Sequence, residues 1–599
     1  MKYLLLLAFA MSFVFAIQAQ STEEPLPRWM TDEEKEMMRT FTFSPDLERG
    51  VTSPPSDFPE LRTMAEWEEI QSLTIGWTYF FPILKQIVAA SQDQCEVIIL
   101  SEDVSQTESY LLNANTGGPA LSSLDNITIL DVNLNSIWMR DYAANTVYGS
   151  GVDDLILVDW IYNRPTRPDD DASPSAVADH LGVELYCTTS SPVDLVNTGG
   201  NFMTDGFGSG FASELILDEN SVDNIYGVSS KSETEIDEIM LEWMGLDRYI
   251  KMDTLPNDLI HHIDMHMKLL DEERILLSEY PMGLSDGPQI NANIEYVLQN
   301  FQSTFGTPYE VIRIPAPPDN GEYPLLNENN ASYKTYSNAV FVNNKVLLPT
   351  YETQYDTTAI RIWEEALPGY EIVGIDCDNN NADIISLSGA IHCITHSVGV
   401  EDPLLISHQP LDDTDDDQNP HEVVSLVRHR SGVSGVDLHW RANQSDPFDV
   451  ITMTDLGNNQ WSAEIPAQAV GTTIDYYIHG TAESGKEQTR PMPAPSGFWS
   501  FDITGNDVSV QVLELLDLQS IFPNPASAIT CIPVRFKAPT TALVVLRDVL
   551  GKTQELIHKG PVKAGEQRFF FNASGFASGV YFVEIQTPSG RITQKLIIE

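Results

Sequence analysis

The chain has 599 residues, of which 87 are Asp or Glu and 33 are Lys or Arg, so its formal net charge is −54. A charge of this sign and size argues against nucleic-acid binding, which requires a positive surface, and favours either solubility or attraction of cationic substrates. The length exceeds what one hydrophobic core can support, so two to four domains are expected.

The N-terminal stretch MKYLLLLAFAMSFVFAIQAQS places Lys2 before an apolar run that ends near the small residue Ala19. This order of charge, apolar core and small exit residue is typical of a signal peptide, and the run is too short for a membrane span. We therefore predict a signal peptide at residues 1–19 and an exported protein without a transmembrane segment. Residues 20–60 are polar and rich in Pro, which predicts an extended N-terminal arm.

Short apolar runs alternate with amphipathic segments from residue 61 to residue 405. This alternation predicts a single α/β domain. The predicted strands are EVIIL, NITILD, LILVDWIY, RILLSEY and AVFVNNKVLLP. The predicted helices are PILKQIVAAS, TEIDEIMLEWMG and IEYVLQNFQSTFG.

An acidic stretch, SHQPLDDTDDDQNPHE, follows this domain and predicts a linker at residues 406–420. A calcium site there is the alternative, which the absence of Gly-spaced ligands disfavours. Residues 421–505 contain short alternating strands with turn residues between them, which predicts an immunoglobulin-like β-sandwich. Residues 516–599 are again strands and turns, so we predict a second all-β sandwich at the C-terminus.

The five cysteines, at positions 95, 187, 377, 393 and 531, lie far apart and form no C-x-x-C pair. Their odd number leaves at least one thiol unpaired in an exported protein, so a disulfide framework is sparse at most. Cys393 stands between two histidines in GAIHCITHSV. From these residues alone it could be a metal ligand, half of a disulfide, a buried filler or a nucleophile.

The segment LIHHIDMHMKLL, residues 259–270, offers His262, Asp264 and His266 at alternate positions. On a strand these side chains would share one face, and with Cys393 they could hold a zinc ion. The alternative is that His266 packs against neighbouring structure and only His262 and Asp264 share a task.

The Gly-rich segment NTGGNFMTDGFGSG, residues 197–210, lacks the Lys of a phosphate-binding loop and the spacing of a dinucleotide fingerprint. Nucleotide binding is therefore not expected. The glycines predict a tight loop whose backbone closely approaches a ligand or another chain segment.

Six motifs occur in one order through this domain: WMRDY, VDWIYNRP, TGGNFMTDG, HID, YSNAVFVNNKV and IHC. Together they resemble the Porphyromonas-type peptidyl-arginine deiminases. The FPNP motif and the closing QKLII resemble the C-terminal sorting domain of the type IX secretion system. The resemblance implies a pentein fold, a five-bladed α/β propeller of ββαβ units, followed by two all-β sandwich domains. It also implies export through the periplasm and outer membrane by the type IX machinery, to a secreted or surface-attached state.

The chemistry of that family accounts for these residue types. A guanidinium carbon is a poor electrophile because its charge is delocalised, so attack requires a thiolate. Two carboxylates hold a planar guanidinium through paired, charge-assisted hydrogen bonds. A histidine suits the proton transfers to the leaving ammonia and from the entering water.

The resemblance assigns a role to each matching residue. Cys393 is the nucleophile that forms a covalent thiouronium adduct, and His262 is the general acid and then the base. Asp141 and Asp264 clamp the guanidinium, Asn338 matches an active-site asparagine, and Trp138 packs along the substrate's aliphatic arm. No metal or other cofactor is expected, and the neighbouring histidines His261, His266, His392 and His396 are interpreted as structural or supporting. The alternative for Asp141 is a structural pair with Arg140.

The substrate is less defined than the reaction. The secreted family members use two arginines to bind the α-carboxylate of a C-terminal arginine, and Arg164 matches the first of them. Thr166 stands at the position of the second, with Arg167 one residue later, so Arg167 is a candidate for the same task. Alternatively, both arginines pair with the acidic run at 169–171.

Arginine-containing peptides or proteins, especially those ending in arginine, are therefore the expected substrates. Agmatine deiminase or another small-guanidine hydrolase is the alternative enzyme. A surface adhesin built on an inactive pentein core is the non-enzyme alternative, which the presence of the cysteine, the histidine and both aspartates disfavours.

Overall fold

The computed structural model describes residues 24–43, 49–281, 283–325, 331–378, 383–504, 516–518, 521–548, 552–587 and 590–598. The predicted signal peptide at 1–19 lies outside these residues. The chain divides into two compact units, Met1–Ile503 and Thr504–Glu599. Within the described part of the chain, no helix has the length and apolar character needed to cross a lipid bilayer.

Within the described residues between 62 and 399, most strands belong to five small sheets, which confirms the α/β class. Each sheet combines an antiparallel pair of strands with a parallel strand that is reached through a helix. The strands, in their order across each sheet, are Thr395–Gly399, Ile70–Gly76, Glu96–Ser101 and Ile127–Asp131; Arg62–Thr63, Asn145–Gly149, Asp154–Asp159 and Glu184–Cys187; Met203–Thr204, Ser209–Ser213 and Arg248–Met252; Met267–Leu269, Arg274–Glu279 and Glu310–Pro315; Val340–Val342, Lys345–Thr350 and Glu371–Asp376. A short parallel pair, Ile161–Tyr162 with Val196–Asn197, lies outside these sheets.

The pairing of Thr395–Gly399 with Ile70–Gly76 joins the end of this domain to its beginning. The central strands are buried on both faces, which explains why they read as continuous apolar runs such as EVIIL. The α-helices of this region are Phe81–Ser91, Val104–Leu112, Met139–Tyr142, Pro168–Ala172, Pro174–Leu181, Leu215–Glu219, Glu233–Met244, Gly287–Asn300 and Thr353–Ala366.

Two local predictions are wrong. The helix predicted over IEYVLQNFQSTFG ends at Asn300, and Phe301 is already extended. Beyond it the backbone N–H of Ser303 donates to the carbonyl of Thr307 and its hydroxyl accepts the N–H of Phe305, so these groups form a turn and do not continue the helix. The strand that was to place His262, Asp264 and His266 on one face does not form. Instead Ile263–Met265 is a turn of 3₁₀-helix between His262 and His266.

The N-terminal arm is not extended throughout. Residues 24–31 lead into the helix Asp32–Met38, which begins with a capping box between Thr31 and Glu34. We call residues 24–43 the N-terminal segment. Its apolar side chains share a small core with residues of the α/β domain: Met30, Met38, Ile161, Val196, Tyr226 and Val228, with Phe41 and Phe43 packed against them.

A two-sheet β-sandwich follows within the same unit. One sheet contains Leu405–Ser407, His421–Arg428, Gln460–Ile465 and Thr454–Gly457, and the other Asp449–Thr452, Val433–Arg441, Thr473–Ala482, Glu487–Arg490 and Trp499–Asp502. The linker predicted at 406–420 is therefore wrong at its start, because the strand Leu405–Ser407 pairs with His421–Arg428 and the apolar residue Ile406 is buried in this sandwich.

The second unit, Thr504–Glu599, is also built from antiparallel strands around one apolar core. Leu516–Leu518, Ile529–Phe536 and Gly565–Asn572 form one sheet. The other sheet contains Thr553–Val562, Thr540–Asp548, Gly579–Thr587 and Gly590–Ile598. A 3₁₀ turn, Ala573–Gly575, follows the last strand of the first sheet.

Candidate active site

Three short turns position the predicted chemical groups. Cys393 lies in a 3₁₀ turn, His392–Ile394, immediately before the strand Thr395–Gly399. Asp141 lies in the helical turn Met139–Tyr142, and Asp264 in the 3₁₀ turn Ile263–Met265. All three side chains are buried, and they converge from segments more than one hundred residues apart in the sequence.

The guanidinium of Arg28 lies between these groups. Its Nε and Nη2 donate to the two oxygens of Asp141 at 2.9 and 2.7 Å. Its Nη1 and Nη2 donate to the two oxygens of Asp264 at 3.1 and 3.0 Å. Such paired contacts match the planar fork of a guanidinium to two carboxylates. Burial opposes the charge of Arg28, but Asp141 and Asp264 hold its pKa well above the ordinary value.

The thiol of Cys393 contacts the same guanidinium. Nη1 of Arg28 lies 2.6 Å from Sγ. The amide of Asn338 lies 3.2 Å from Sγ, and the backbone N–H of Ala390 lies 3.3 Å from it. Burial raises the pKa of Cys393, whereas the positive charge of Arg28 lowers it and the two aspartates raise it further.

Asn338 links Cys393 to the turn that carries Asp264. Its Nδ2 also donates to the backbone carbonyl of Asp264 at 3.0 Å, and its Oδ1 accepts the backbone N–H of His392 at 3.0 Å. One buried amide thus fixes the turn that carries Cys393 against the turn that carries Asp264.

His262 lies beside the guanidinium and the first carboxylate. Its Nδ1 is 3.6 Å from Oδ1 of Asp141. Neither ring nitrogen has a hydrogen-bonding partner among the described residues, although the ring is fully buried. Burial and the positive charge of Arg28 lower the pKa of His262 to about 3. A neutral imidazole without a fixed partner is free to exchange a proton with a reacting group.

A chain of polar and charged groups, all buried except the half-buried Glu66, supports Asp264. Nδ1 of His392 lies 2.9 Å from Oδ2 of Asp264, and its Nε2 lies 2.8 Å from Oε1 of Glu66. Glu66 in turn pairs with Lys268 and lies 3.7 Å from Arg140. Although burial alone would raise the pKa of Asp264, Arg28 and His392 lower it. Arg140 thus contacts Glu66, and the alternative pairing of Arg140 with Asp141 is not seen.

The Gly-rich loop approaches the site closely, as its composition predicts. A Cβ at Gly200 would lie 1.8 Å from Nη2 of Arg28 and 2.5 Å from Nδ1 of His262. A Cβ at Gly199 would lie 2.0 Å from the backbone oxygen of Arg140. Glycine at these positions therefore leaves the space in which a guanidinium and the imidazole meet.

The three residues expected to bind the rest of a substrate all contact the N-terminal segment. Trp138 donates from Nε1 to the carbonyl of Leu26 at 2.9 Å. Arg164 donates from Nε to the carbonyl of Arg28 at 3.1 Å. Arg167 binds the carboxylate of Glu34, with Nε 2.7 Å from Oε1. Arg167 also donates from Nη2 to the carbonyls of Pro27 and Trp29, on either side of Arg28. The side-chain hydrogen bonds of Arg164 and Arg167 go to the N-terminal segment and to Asn163, and not to the acidic run at 169–171.

The described residues contain no group of three or more His, Cys, Asp or Glu side chains arranged to hold a metal ion. The proposed zinc set fails on geometry, because the 3₁₀ turn separates His266 from His262. His266 is buried, and burial lowers its pKa to about 4.

A sequence profile of the Porphyromonas-type peptidyl-arginine deiminase family matches residues 62–398, more than half of the chain. The chain belongs to this family. The match spans every candidate site residue named from the sequence, from Trp138 to Cys393. The deiminase is therefore a hydrolase of the class that acts on carbon–nitrogen bonds of amidine groups.

Individual relatives are distant. An agmatine deiminase of Medicago truncatula is 22% identical over 375 residues, which is 55% of this chain and 94% of that protein. The solved structure of an agmatine deiminase from C. jejuni is 21% identical, covers 56% of this chain and 96% of that one, and gives a TM-score of 0.45. The solved structure of an agmatine deiminase from Enterococcus faecalis is 16% identical. It covers 59% of this chain and 99% of that one, and it gives a TM-score of 0.48.

The profile of a secretion system C-terminal sorting domain matches residues 520–599 of the deiminase. This match confirms the resemblance to the type IX sorting domain and shows that the protein is exported, to a secreted or surface-attached state. It also accounts for the all-β second unit.

The sequence did not reveal Arg28 or Glu66, or that His392 contacts both Asp264 and Glu66. Arg28 lies in the polar N-terminal arm, where nothing in the local pattern distinguishes it from a solvated arginine. The adjacent capping signal, Thr31 with Glu34, could have revealed that this part of the arm is ordered. Glu66 carries no local signal, because its partners lie far away in the sequence.

Proposed function

We propose that this deiminase hydrolyses the guanidinium group of peptidyl-arginine, giving peptidyl-citrulline and ammonia. One observation carries the proposal: an arginine side chain is held by two carboxylates with its Nη1 2.6 Å from the Cys393 thiol. Family membership supports the same reaction class. The large negative charge of the protein favours capture of cationic peptides.

In the proposed reaction, the sulfur of Cys393 bonds to the guanidinium carbon and one terminal nitrogen leaves as ammonia. The thiol proton is the proton that the leaving nitrogen needs, and His262 is the group placed to carry it. The product of this step is a covalent thiouronium. Water then adds to the same carbon, His262 accepts its proton, and the sulfur leaves with a proton to regenerate the thiol and citrulline.

The two aspartates act in both steps. They hold the guanidinium plane against the thiol, and their negative charges favour binding of a cation over the neutral citrulline product. Asn338 positions the thiol by its contact with Sγ.

Arg164 favours a peptidyl substrate over agmatine. It donates to the main-chain carbonyl of the bound arginine, and agmatine has no such oxygen. In a C-terminal arginine that oxygen belongs to a carboxylate, which makes the hydrogen bond charge-assisted and stronger. We therefore propose a preference for C-terminal arginine, although Arg28 itself is followed by Trp29 and the site admits a continuing chain.

We also propose that the five sheets are the blades of a pentein propeller around this site. Each sheet has the same antiparallel pair, helix and parallel strand, and the last strand of the domain, Thr395–Gly399, pairs with Ile70–Gly76 near its beginning. An experimental structure in which these sheets do not surround Cys393 would contradict this propeller arrangement.

The test is citrulline formation by the purified protein, compared with Cys393→Ala. The panel contains a peptide ending in arginine, its C-terminally amidated form, an internal-arginine peptide, free arginine and agmatine. Because Arg28 occupies the site, the panel is repeated with Arg28→Gln. Turnover of the free-carboxylate peptide, abolished by Cys393→Ala, is the expected result. Agmatine as the best substrate would overturn the substrate assignment, and no turnover by either protein would overturn the function.

A further inference from the structure

We propose that the N-terminal segment, residues 24–43, is an intramolecular inhibitor that occupies the active site through Arg28 until the segment is displaced or removed. The inference rests on the proposed function, because it treats Arg28 as a competitor of the arginine substrate. Its own evidence is the closure of the site and the way the segment is anchored.

The first step is exclusion of substrate. Arg28, His262, Asp264 and Cys393 are each 0% exposed. Both carboxylates already have their oxygens bonded to the Arg28 guanidinium. A second guanidinium therefore has neither a path to the thiol nor a free carboxylate to bind while the segment is in place.

The second step is that the main chain around Arg28 is bound on both sides. The N–H of Arg28 donates to the carbonyl of Leu387 at 3.1 Å, and its carbonyl accepts from Arg164. The carbonyl of Leu26 accepts from Trp138. These are contacts to backbone groups that any peptide has, so the segment binds in the manner of a substrate.

The segment has an anchor at Glu34, which a short peptide ending in arginine lacks. Glu34 accepts from Nε of Arg167 at 2.7 Å and from the hydroxyl of Thr166 at 3.0 Å. The same Arg167 donates from Nη2 to the carbonyls of Pro27 and Trp29 at 2.8 and 3.1 Å. Although burial alone would raise the pKa of Glu34, its hydrogen bonds and the charge of Arg167 lower it to about 2, so it stays ionised near neutral pH.

Apolar contacts also hold the N-terminal segment in place. Met30 and Met38 are buried on the α/β domain in the small core that includes Tyr226 and Val228. A covalently attached ligand also competes at an effective concentration in the millimolar range or above, without the entropy loss of a separate molecule. Closed and open populations in a ratio of 100 to 1 would lower the apparent kcat/KM about a hundredfold.

The experiment measures access to Cys393 independently of activity. The full chain is treated with iodoacetamide, and alkylation of Cys393 is followed by peptide mass mapping, with the fully buried Cys377 as an internal reference. Glu34→Gln removes the Arg167 anchor without touching the active-site contacts. Glu36→Gln, on the exposed face of the same helix, is the matched control.

We expect Glu34→Gln and Arg28→Gln to speed alkylation of Cys393 by at least about tenfold, and Glu36→Gln to leave it unchanged. Equal rates in all four proteins would overturn the proposal. This readout does not depend on any substrate, so failure of the proposed function would leave it interpretable.

A second measurement uses substrate. A synthetic peptide of residues 24–43 should inhibit the Arg28→Gln protein competitively, and the same peptide with citrulline at position 28 should not. The Glu34→Gln protein should show a higher kcat/KM than wild type. Conversion of residue 28 to citrulline in the full wild-type chain would overturn the proposal, because the segment would then be a consumed substrate and not an inhibitor.

Discussion

The Nη1 of Arg28 lies 2.6 Å from the Sγ of Cys393, although 365 positions separate the two residues in the chain. This contact puts an arginine of the protein itself where the proposed substrate would react. It also couples the charge state of the site to the position of the N-terminal segment.

Closure of the segment should weaken as the pH falls from about 7 to about 4. With Arg28 bound, the pKa of His262 is lowered to about 3 from an ordinary value of 6.5. When Arg28 leaves, water reaches the imidazole and its pKa rises, so the open state binds more protons and acid favours it. Arg28 also lowers the pKa values of Asp141 and Asp264. These values therefore rise as well when Arg28 leaves, so the aspartates also make acid favour the open state. The charged groups acting on His262 are Arg28, Asp141, Asp264 and Arg164.

Hydrogen exchange at the amides of residues 24–43 checks this. Each pH unit over which the open state holds one more proton should weaken protection roughly tenfold, after correction for intrinsic exchange. The amides of the buried strand Glu96–Ser101 serve as the reference. Protection of the segment that stays constant or grows in acid would contradict the linkage.

The elements that the sequence predicts well are those defined by local periodicity. EVIIL and RILLSEY are strands whose apolar residues are buried on both faces, NITILD is a half-buried strand, and TEIDEIMLEWMG is a helix with a capping box at Ser232. The turn at 263–265 could not be read in this way. Tertiary contacts, including those of Asn338 with Asp264, hold it in a conformation that alternating polarity does not specify.

The candidate site was predictable where motifs carry it and not where single long-range contacts do. Asp141, Asp264, Asn338 and Cys393 came from motifs and lie together in the structure. No motif predicts Arg28, because an arginine in a Pro-rich arm looks solvated and its partners lie 113 to 365 positions away. Arg167 was expected near a substrate carboxylate, but it binds Glu34, which is 133 positions distant.

Arg164 and Arg167 should differ in their effects on substrate. In the Arg28→Gln background, Arg164→Gln should lower kcat/KM for a peptide ending in arginine by roughly 10- to 100-fold, the loss of a hydrogen bond to a charged group. Agmatine turnover should not change, because agmatine lacks the carbonyl that Arg164 binds. Steady-state kinetics with both substrates measure this.

Arg167→Gln is the comparison in the same background. Its bond to Glu34 has no counterpart in a peptide ending in arginine, but its Nη2 also binds the carbonyl before Arg28, which such a peptide has. We therefore expect a loss in kcat/KM of only about 2- to 10-fold with the C-terminal peptide, the loss of one hydrogen bond to a neutral carbonyl. A loss as large as that of Arg164→Gln would show that Arg167 binds the substrate carboxylate after all.

Removal of the Glu66 charge should destabilise the α/β domain. Glu66 pairs with the buried Lys268 and with His392, so Glu66→Gln leaves a buried ammonium without its carboxylate. The expected loss in the free energy of unfolding is about 3 kcal/mol. Urea unfolding at neutral pH measures it. Glu371→Gln, whose exposed side chain lies 3.6 Å from Lys345, should change the same quantity by less than about 1 kcal/mol. Equal effects would contradict the interpretation of Glu66 as the partner of a buried ammonium.

Gly200→Ala should close the space in which the guanidinium lies. The new Cβ would fall 1.8 Å from Nη2 of Arg28 and 2.5 Å from Nδ1 of His262, distances that no pair of non-bonded atoms tolerates. Because Gly200 does not have a positive φ, the obstacle is the side chain and not backbone strain. We therefore expect a folded protein whose kcat/KM for peptidyl-arginine falls by at least about a hundredfold in the Arg28→Gln background.

The same substitution in the otherwise wild-type chain should expel Arg28 and expose residues 24–43 to hydrogen exchange, although no residue of the segment is changed. Gly435→Ala, in the β-sandwich, is the control, because a Cβ there meets nothing within 4 Å. It should leave turnover and exchange unaltered. Full activity of Gly200→Ala would mean that the substrate guanidinium binds elsewhere than the guanidinium of Arg28, and the assignment of the two aspartates as its clamp would fall with it.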